Sequence, residues 1–316
     1  MEPTRVKYQQ LIRDLRSDLR PQREWCQGRG LFLVVGHFVV GVAGGTWLFS
    51  LLYGSRLGLS LALFLGALGG VLHLANLGHP LRAWKMGLQF RRSWTSRGFF
   101  GLNLFLAGGF VYLVPLWLPG LWSADSVISG AGKLVSIVGM ATIIGYMGFV
   151  YTASKAIPFW NSPLHPALYV GYALRGGIAG LLLAQAAGGQ WLASQNELLL
   201  LWTGITAAVT LLFALEVHGA VTSRNAAAQQ SVHELFAGSL AMYFYAGTLL
   251  TGLLIPAWLV RAGLSAPASA GAMTVLATAS IIGDFFMKYS TIRAGVYLPI
   301  WTPAAARRPK EGRMVM

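Results

Sequence analysis

The sequence has little cysteine and little charge. A single cysteine, Cys26, stands among 316 residues, which excludes a disulfide framework and excludes an iron–sulfur cluster held by this chain alone. Only 11% of the residues are charged, whereas soluble domains have about 25%. Hydrophobic residues make up 55% of the chain, and the mean hydropathy is +0.58. This composition excludes an ordinary soluble domain and indicates an integral membrane protein.

Long apolar runs take the place of the missing charge. A helix needs about 20 apolar residues to cross a ~30 Å hydrocarbon core, and eight such runs are present. The runs are continuous and rich in Gly, Ala and Leu, which favours helices over the alternating strands of a barrel. We therefore predict an all-α integral membrane protein with eight transmembrane helices, arranged as two four-helix bundles. The predicted spans are 31–53, 58–77, 98–118, 134–154, 167–187, 198–218, 235–260 and 269–290.

Lysine and arginine are distributed unevenly between the two sides of these spans. With eight spans both termini lie on one side, and that side has 19 of the 24 Lys and Arg residues, against three on the other. The positive-inside rule then predicts that both termini are cytoplasmic. Because this topology explains the net charge of +14, we expect the lipid bilayer as a partner and no nucleic acid.

The chain is predicted to have three parts. Residues 1–30 form a cytoplasmic amphipathic N-terminal segment, 31–293 the transmembrane domain, and 294–316 a cytoplasmic basic tail. The first part is too polar for a signal peptide, because it has no apolar h-region. Its apolar residues recur at helical spacing opposite its arginines, which is typical of an amphipathic helix that lies on lipid or on a partner.

Polar side chains within the spans gather towards the basic side. They are His37, His73, Asn76, Tyr146, Tyr151, Arg175, Glu216, His218, Asp284 and Lys288. Ionisable groups in a membrane are costly and often functional, so this placement predicts a site that opens towards the cytoplasmic face. The same residues can also have purely structural roles. Asp284 and Lys288 are spaced i, i+4 and can neutralise each other, and His37 and His73 can be core histidines bonded to backbone carbonyls. No metal site is expected.

The segment after the second span is the most specific motif. It reads LHLANLGHPLRAWK over 72–85 and SWTSR over 93–97, with Gly78 and Pro80 ending the helix. It resembles the membrane anchors of the dimethyl sulfoxide reductase and polysulfide reductase (NrfD-like) family, which have an LG-x-P-x-R-A-aromatic turn and then Ser-Trp-x-Ser-Arg. Weaker matches lie at 157–163 and 288–295. Where this family often has a His or an acid, four residues before the proline, the chain has Asn76.

The resemblance implies the membrane anchor of a molybdenum enzyme complex. Such an anchor reacts with a quinone or quinol, either menaquinone or ubiquinone, in the cytoplasmic (inner) membrane of a bacterium or archaeon. Its implied partners are a ferredoxin-like four-cluster iron–sulfur subunit and a molybdopterin catalytic subunit, which hold the clusters and the molybdopterin. The chain would then be the quinone-reacting subunit of an oxidoreductase in respiratory electron transport, and it would not be catalytic alone.

Quinone chemistry requires an apolar slot, hydrogen-bond donors at the ring oxygens and a titratable group. The residues expected to form this site near the basic side are His37, His73, Asn76, Arg82, Tyr146 and Tyr151, with Arg82 at the mouth. A second set is interpreted as a proton path or as structural pairs and consists of Arg175, Glu216, Asp284 and Lys288.

Two other functions are compatible with the sequence. A b-type cytochrome needs two axial histidines, and His37, His73 and His218 lie at comparable depth. A transporter unrelated to electron transfer would work without companion subunits, although transporters usually place their site near the midplane and often have inverted repeats.

Overall fold

The structure is a computed structural model that describes residues 8, 9, 12, 19–189 and 191–298. In chain order its helices are α1 (Gly30–Leu52), α2 (Arg56–Asn76), the 3₁₀ helix Pro80–Gln89, α3 (Trp94–Trp117), α4 (Val127–Thr152), α5 (His165–Gly188), α6 (Gln195–Thr222), α7 (Ala226–Phe236), α8 (Tyr243–Ser265) and α9 (Ala270–Arg293). Eight of these, all but the 3₁₀ helix and α7, are long and apolar enough to cross a membrane. The predicted all-α membrane fold with eight spanning helices is confirmed.

Short polar side chains begin six of these helices. Each one accepts a hydrogen bond from a backbone N–H two or three residues further on, which satisfies a donor that has no partner within the helix. These N-cap residues are Ser55, Ser93, Ser126, Ser194, Asn225 and Ser269. The caps fix where these helices begin, and several spanning helices extend a few residues beyond the predicted apolar runs.

The seventh predicted span, 235–260, is wrong at its start. The apolar run crosses a turn, because α7 ends at Phe236 and α8 begins only at Tyr243. Glu234 Oε2 accepts hydrogen bonds from Ser239 N at 3.2 Å and from Ser239 Oγ at 3.0 Å. Gly238 N also donates to His233 O at 2.8 Å. These local bonds end α7 and redirect the chain before it enters the membrane.

Helix α8 is π-helical over Tyr243–Leu254 and α-helical over Ile255–Ser265. Pro256 lies just after the junction and has no N–H to donate to Gly252 O, the carbonyl four residues before it. Gly252 O instead accepts a hydrogen bond from Arg175 Nη2 of α5. The irregular helix therefore offers a backbone carbonyl to a charged side chain in the interior.

The eight spanning helices pack as two sets of four, α1–α4 and then α5, α6, α8 and α9. The sets are joined along α1 and α5, where Gly45 and Gly177 approach so closely that a Cβ on either would overlap the backbone of the opposite helix. Small residues allow such close helix contacts in membranes. The two predicted bundles are therefore fused into one body.

The two ends of the described chain meet on the side of the termini. Pro21 pairs with Val296 in an isolated antiparallel bridge, and Gln22 N donates to Gly295 O at 2.8 Å. Cys26 lies beneath this contact, and burial raises the pKa of its thiol to about 11. The rest of the predicted amphipathic segment and of the basic tail lies largely outside the described residues.

Candidate functional site

A cavity of about 310 Å³ lies between α2, the 3₁₀ helix and α3, near the basic side. Its lining is mostly apolar and includes four of the predicted site residues, His37, His73, Asn76 and Tyr146. Val71 and Leu74 in its lining are 62% and 42% exposed, so the cavity reaches the outer surface of the spanning helices beside α2. A membrane-soluble molecule can therefore enter without crossing the aqueous phase.

The polar residues of the cavity form one connected group. The rings of His37 and His73 lie edge to face with centroids 4.8 Å apart, and Tyr146 lies edge to face with His37 at 5.7 Å. His37 Nδ1 shares a hydrogen bond of 2.9 Å with Tyr151 Oη. His73 Nε2 is buried and has no hydrogen-bond partner among the described residues. An unpaired buried nitrogen is costly, so this atom favours a ligand or water in the cavity.

Two glycines make the space for these rings. Gly36 of α1 faces His73, and a Cβ at this glycine would lie 3.2 Å from His73 Cε1. Gly98 of α3 faces Tyr146, and a Cβ there would overlap the phenol ring. The rings of His73 and Tyr146 can therefore take these positions only because the residues opposite them, Gly36 and Gly98, have no side chain.

The 3₁₀ helix covers the cavity from the basic side. Ala83 and Met86 line the cavity, whereas Leu81 and Trp84 are 93% and 61% exposed and point away from it. Arg82 is also exposed and does not line the cavity. Arg82 therefore faces outwards from the cover, and its role at the mouth stays a prediction.

The SWTSR motif holds this cover in place. Ser93 Oγ accepts from Ser96 N at 3.3 Å and caps α3, while Trp94 stacks on Phe149 with ring centroids 4.3 Å apart. Arg97 reaches back to the end of the cover, where its Nε donates to Phe90 O at 3.2 Å. The motif therefore ties the segment after the 3₁₀ helix to α3.

Tyr151 lies behind the cavity rather than in its wall. It is fully buried, and its ring contacts Trp25 and Trp160 at centroid distances of 5.5 Å. Trp160 belongs to the 157–163 motif, and its Nε1 donates to Thr291 O at 3.2 Å. This weaker motif thus supports Tyr151, whose hydroxyl in turn orients His37.

The second set of predicted residues pairs differently from the sequence interpretation. Asp284 does not neutralise Lys288, since its Oδ1 accepts a hydrogen bond from Arg175 Nη1 of α5. Lys288 instead lies over the ring of Tyr169 at 4.8 Å, with its Nζ 3.5 Å from Met147 Sδ. Helix packing brings Arg175 closer to Asp284 than the i, i+4 neighbour, which explains the error.

Glu216 forms a buried pair with His165 at the start of α5. Glu216 Oε1 and His165 Nδ1 are 2.7 Å apart, and both side chains are 1% exposed. The His165 ring lies 6.1 Å from that of Tyr151, so the pair adjoins the residue behind the cavity. Sequence reasoning missed His165, because it stands at a span boundary where a histidine is expected to be solvated. His218 is exposed at the end of α6.

Comparison with known proteins identifies the family to which the chain belongs. The sequence profile described as "Polysulphide reductase, NrfD" matches residues 29–299. Protein NrfD of Escherichia coli is 26% identical over 266 residues, which cover 74% of this chain and 79% of that protein. A sulfite dehydrogenase subunit of Allochromatium vinosum is 27% identical over 120 residues, 35% of each chain. The chain therefore belongs to the polysulphide reductase NrfD family, whose members are multi-pass membrane subunits of oxidoreductase complexes.

Proposed function

We propose that this chain is the quinone-reacting anchor of a molybdopterin oxidoreductase complex and that the cavity beside α2 is its quinone site. The observation that carries the proposal is His73 Nε2, a buried nitrogen without a partner among the described residues, in an apolar cavity that reaches the outer surface of the spanning helices. A quinone ring has two oxygens that accept hydrogen bonds, and its prenyl tail requires an apolar exit. Both needs match what the cavity offers.

The chain's own residues supply the polar contacts. His73, Asn76 and Tyr146 would hold the ring oxygens, while Leu102 and Leu106 of α3 would contact the ring and tail. A bound quinol supplies two electrons and two protons when it is oxidised. An imidazole nitrogen can accept a proton and pass it on, so His73 and its neighbour His37 are the groups proposed to receive them. Tyr151 keeps His37 oriented through their 2.9 Å hydrogen bond.

A proton path to the basic side can continue through the His165–Glu216 pair. Tyr151 contacts His37 on one side and His165 on the other. Glu216, the partner of His165, lies about two turns before α6 ends at Thr222. Arg175 and Asp284 are assigned to structural pairing of α5 with α9. Lys288 is assigned to the same interface, where the ring of Tyr169 faces its ammonium group.

The iron–sulfur partner is proposed to dock on the basic side. The cavity lies at this side, so a cluster there would be near the bound ring. Exposed cations of the 82–97 segment, among them Arg82, Lys85 and Arg91, would meet an acidic surface and orient the partner. The positive-inside rule makes this side cytoplasmic, in the inner membrane of a bacterium or archaeon.

Haem ligation is not favoured by the geometry of the two histidines. Two axial ligands must face each other across the porphyrin plane, whereas the rings of His37 and His73 lie edge to face with centroids 4.8 Å apart. The macrocycle does not fit between them. His218, the third candidate, is exposed at the end of α6.

His73→Ala in the purified complex tests the proposal. Loss of one hydrogen bond to the ring should weaken binding of a quinone-analogue inhibitor about tenfold, as about 1.4 kcal/mol corresponds to that factor. Quinol-dependent turnover should fall while turnover with an artificial electron donor to the partner stays the same. His79→Ala, at an exposed histidine outside the cavity, is the control. Unchanged inhibitor affinity and unchanged quinol turnover in His73→Ala would contradict the assignment.

A further inference from the structure

A second large cleft lies in the other half of the molecule, between α6 and α8. A groove of about 890 Å³ runs along these two helices and is open on the outer surface of the spanning helices. Apolar side chains such as Leu211, Leu253 and Leu264 make up most of its walls. The shape and the apolar walls of this groove suit a hydrocarbon chain.

The groove continues inwards to a small chamber whose walls are mostly apolar but include a few polar side chains. The chamber has a volume of about 120 Å³ and shares Thr206, Thr210 and Leu253 with the groove. Arg175 and Asp284 lie at its inner end. A long apolar groove that ends at a compact chamber with a few polar side chains matches an amphiphile with a small head.

Two polar atoms of the chamber indicate the chemistry of the ligand's headgroup. Asp284 Oδ2 and Thr248 Oγ1 are buried and have no hydrogen-bond partner among the described residues. Arg175 is already engaged, because its three nitrogens donate to Thr206 Oγ1, Asp284 Oδ1 and Gly252 O. Within the described part of the chain, the chamber therefore offers an unpaired carboxylate oxygen and a hydroxyl, and no spare cation.

These atoms select a neutral head with a hydroxyl donor. A phosphate head is disfavoured, since it would face the carboxylate of Asp284, and the guanidinium group of Arg175 beside that carboxylate is already engaged. A hydroxyl suits Asp284 Oδ2, which accepts a hydrogen bond, and a second oxygen on the head can accept from Thr248 Oγ1. Thr248 also lies in the π-helical part of α8, and π-helical turns frequently occur at functional sites. This is a second, independent indication that the chamber binds a ligand.

We propose that the cleft between α6 and α8 binds the reduced form of a prenylated quinone, with a ring hydroxyl on Asp284 Oδ2 and the tail in the groove. The choice of ligand class rests on the proposed function, but the site uses residues different from those of the cavity beside α2. The oxidised form has no hydroxyl to donate, so this site prefers the quinol.

Retention of added quinol by the purified complex tests the proposal. Prenylated naphthoquinol and benzoquinol are added anaerobically in separate samples, unbound ligand is removed by gel filtration, and the bound quinol per chain is measured by extraction. Wild-type protein should retain a second equivalent with at least one of the two quinols. Ala207→Phe should lose that equivalent, because Ala207 lines the groove, whereas Ala208→Phe should keep it, since its neighbour Ala208 is exposed outside the groove.

A second variant tests the polar contact without filling the groove. Thr248→Val removes the hydroxyl in the chamber and should lower quinol retention, whereas Thr251→Val should not. Thr251 lies on the same helix, but its Oγ1 already donates to Ala246 O at 2.8 Å and does not line the chamber. The oxidised quinones should not provide the second equivalent.

The outcomes separate this proposal from the previous one. If His73→Ala leaves retention unchanged while Ala207→Phe lowers it, the cavity beside α2 is misassigned and the second site stands. If Ala207→Phe and Thr248→Val both leave retention unchanged, the second site is overturned whatever His73→Ala does. Recovery of a phospholipid in place of quinol, displaced by Ala207→Phe, would also overturn it.

Discussion

Gly98 controls the position of Tyr146 at the candidate quinone site. The phenol ring lies where a side chain at Gly98 would be. Tyr146 also contacts His37 at 5.7 Å, so a shift of its ring reaches the imidazole pair. A glycine far from any turn is thus required here by packing and not by backbone conformation.

Gly98→Ala is expected to impair quinone binding more than its single methyl group suggests. The added Cβ must displace Tyr146, and overpacking of this kind costs about 1–3 kcal/mol. We expect a lower thermal midpoint and weaker inhibitor binding, measured on the purified complex. Gly145→Ala is the matched control, because nothing lies within 4 Å of a Cβ at that position next to Tyr146. Equal behaviour of the two variants would show that Tyr146 is not held by Gly98.

The cavity residues were predictable because they are polar side chains within apolar runs. His37, His73, Asn76 and Tyr146 line the cavity, and they stand near one end of the spans in the sequence. The partner of Asp284 was not predictable, since Arg175 is 109 positions away and only helix packing brings them together. The local i, i+4 neighbour was the stronger signal in the sequence. The unpaired atoms that define the cavity and the second site are visible only in the folded chain.

At the level of helices, the spans follow from the thickness of the membrane. Each run had to be long enough to cross the hydrocarbon core, and this requirement was enough to predict the number of spanning helices. Hydropathy carries no information about turns made of small residues, so the boundary between α7 and α8 was missed. It also carries none about hydrogen-bond register, and the π-helical part of α8 could not be foreseen.

The contact between α1 and α5 is expected to be the least tolerant of added side-chain volume. Gly177→Val places a branched side chain against the backbone of Gly45, and neither helix can yield without disturbing the other contacts along it. We expect a loss of folded, monodisperse protein, measured by size-exclusion chromatography of a fluorescent fusion. Gly204→Val on α6 is the control, because a Cβ there meets nothing within 4 Å. Normal yield of Gly177→Val would mean that the two sets of helices are not joined at this point.

For the whole molecule, the distribution of charge predicts which side faces the cytoplasm. Labelling of introduced cysteines tests this in intact cells. Gln89→Cys is exposed on the basic side, and Ala124→Cys is exposed in the loop between α3 and α4 on the other. A membrane-impermeant maleimide should label Ala124→Cys from outside and leave Gln89→Cys unlabelled until the membrane is opened.

The native cysteine gives a low background in that experiment. Cys26 is 4% exposed, and burial raises the pKa of its thiol to about 11, so little thiolate is present at neutral pH. The wild-type chain should stay unlabelled under both conditions. Labelling of Gln89→Cys from outside would reverse the proposed topology and would place the partner subunits on the opposite face.

The pairing of Pro21 with Val296 brings a residue before the first spanning helix next to a residue after the last one. Residues opposite each other in an antiparallel pair have Cα atoms about 5 Å apart, so a short linker can join the first helix to the last. A circularly permuted gene, opened in the loop at 118–126 and trimmed to 19–298, is expected to keep every helix contact. For the same reason, a fluorescent reporter fused to either end of that trimmed chain emerges from one patch of the surface.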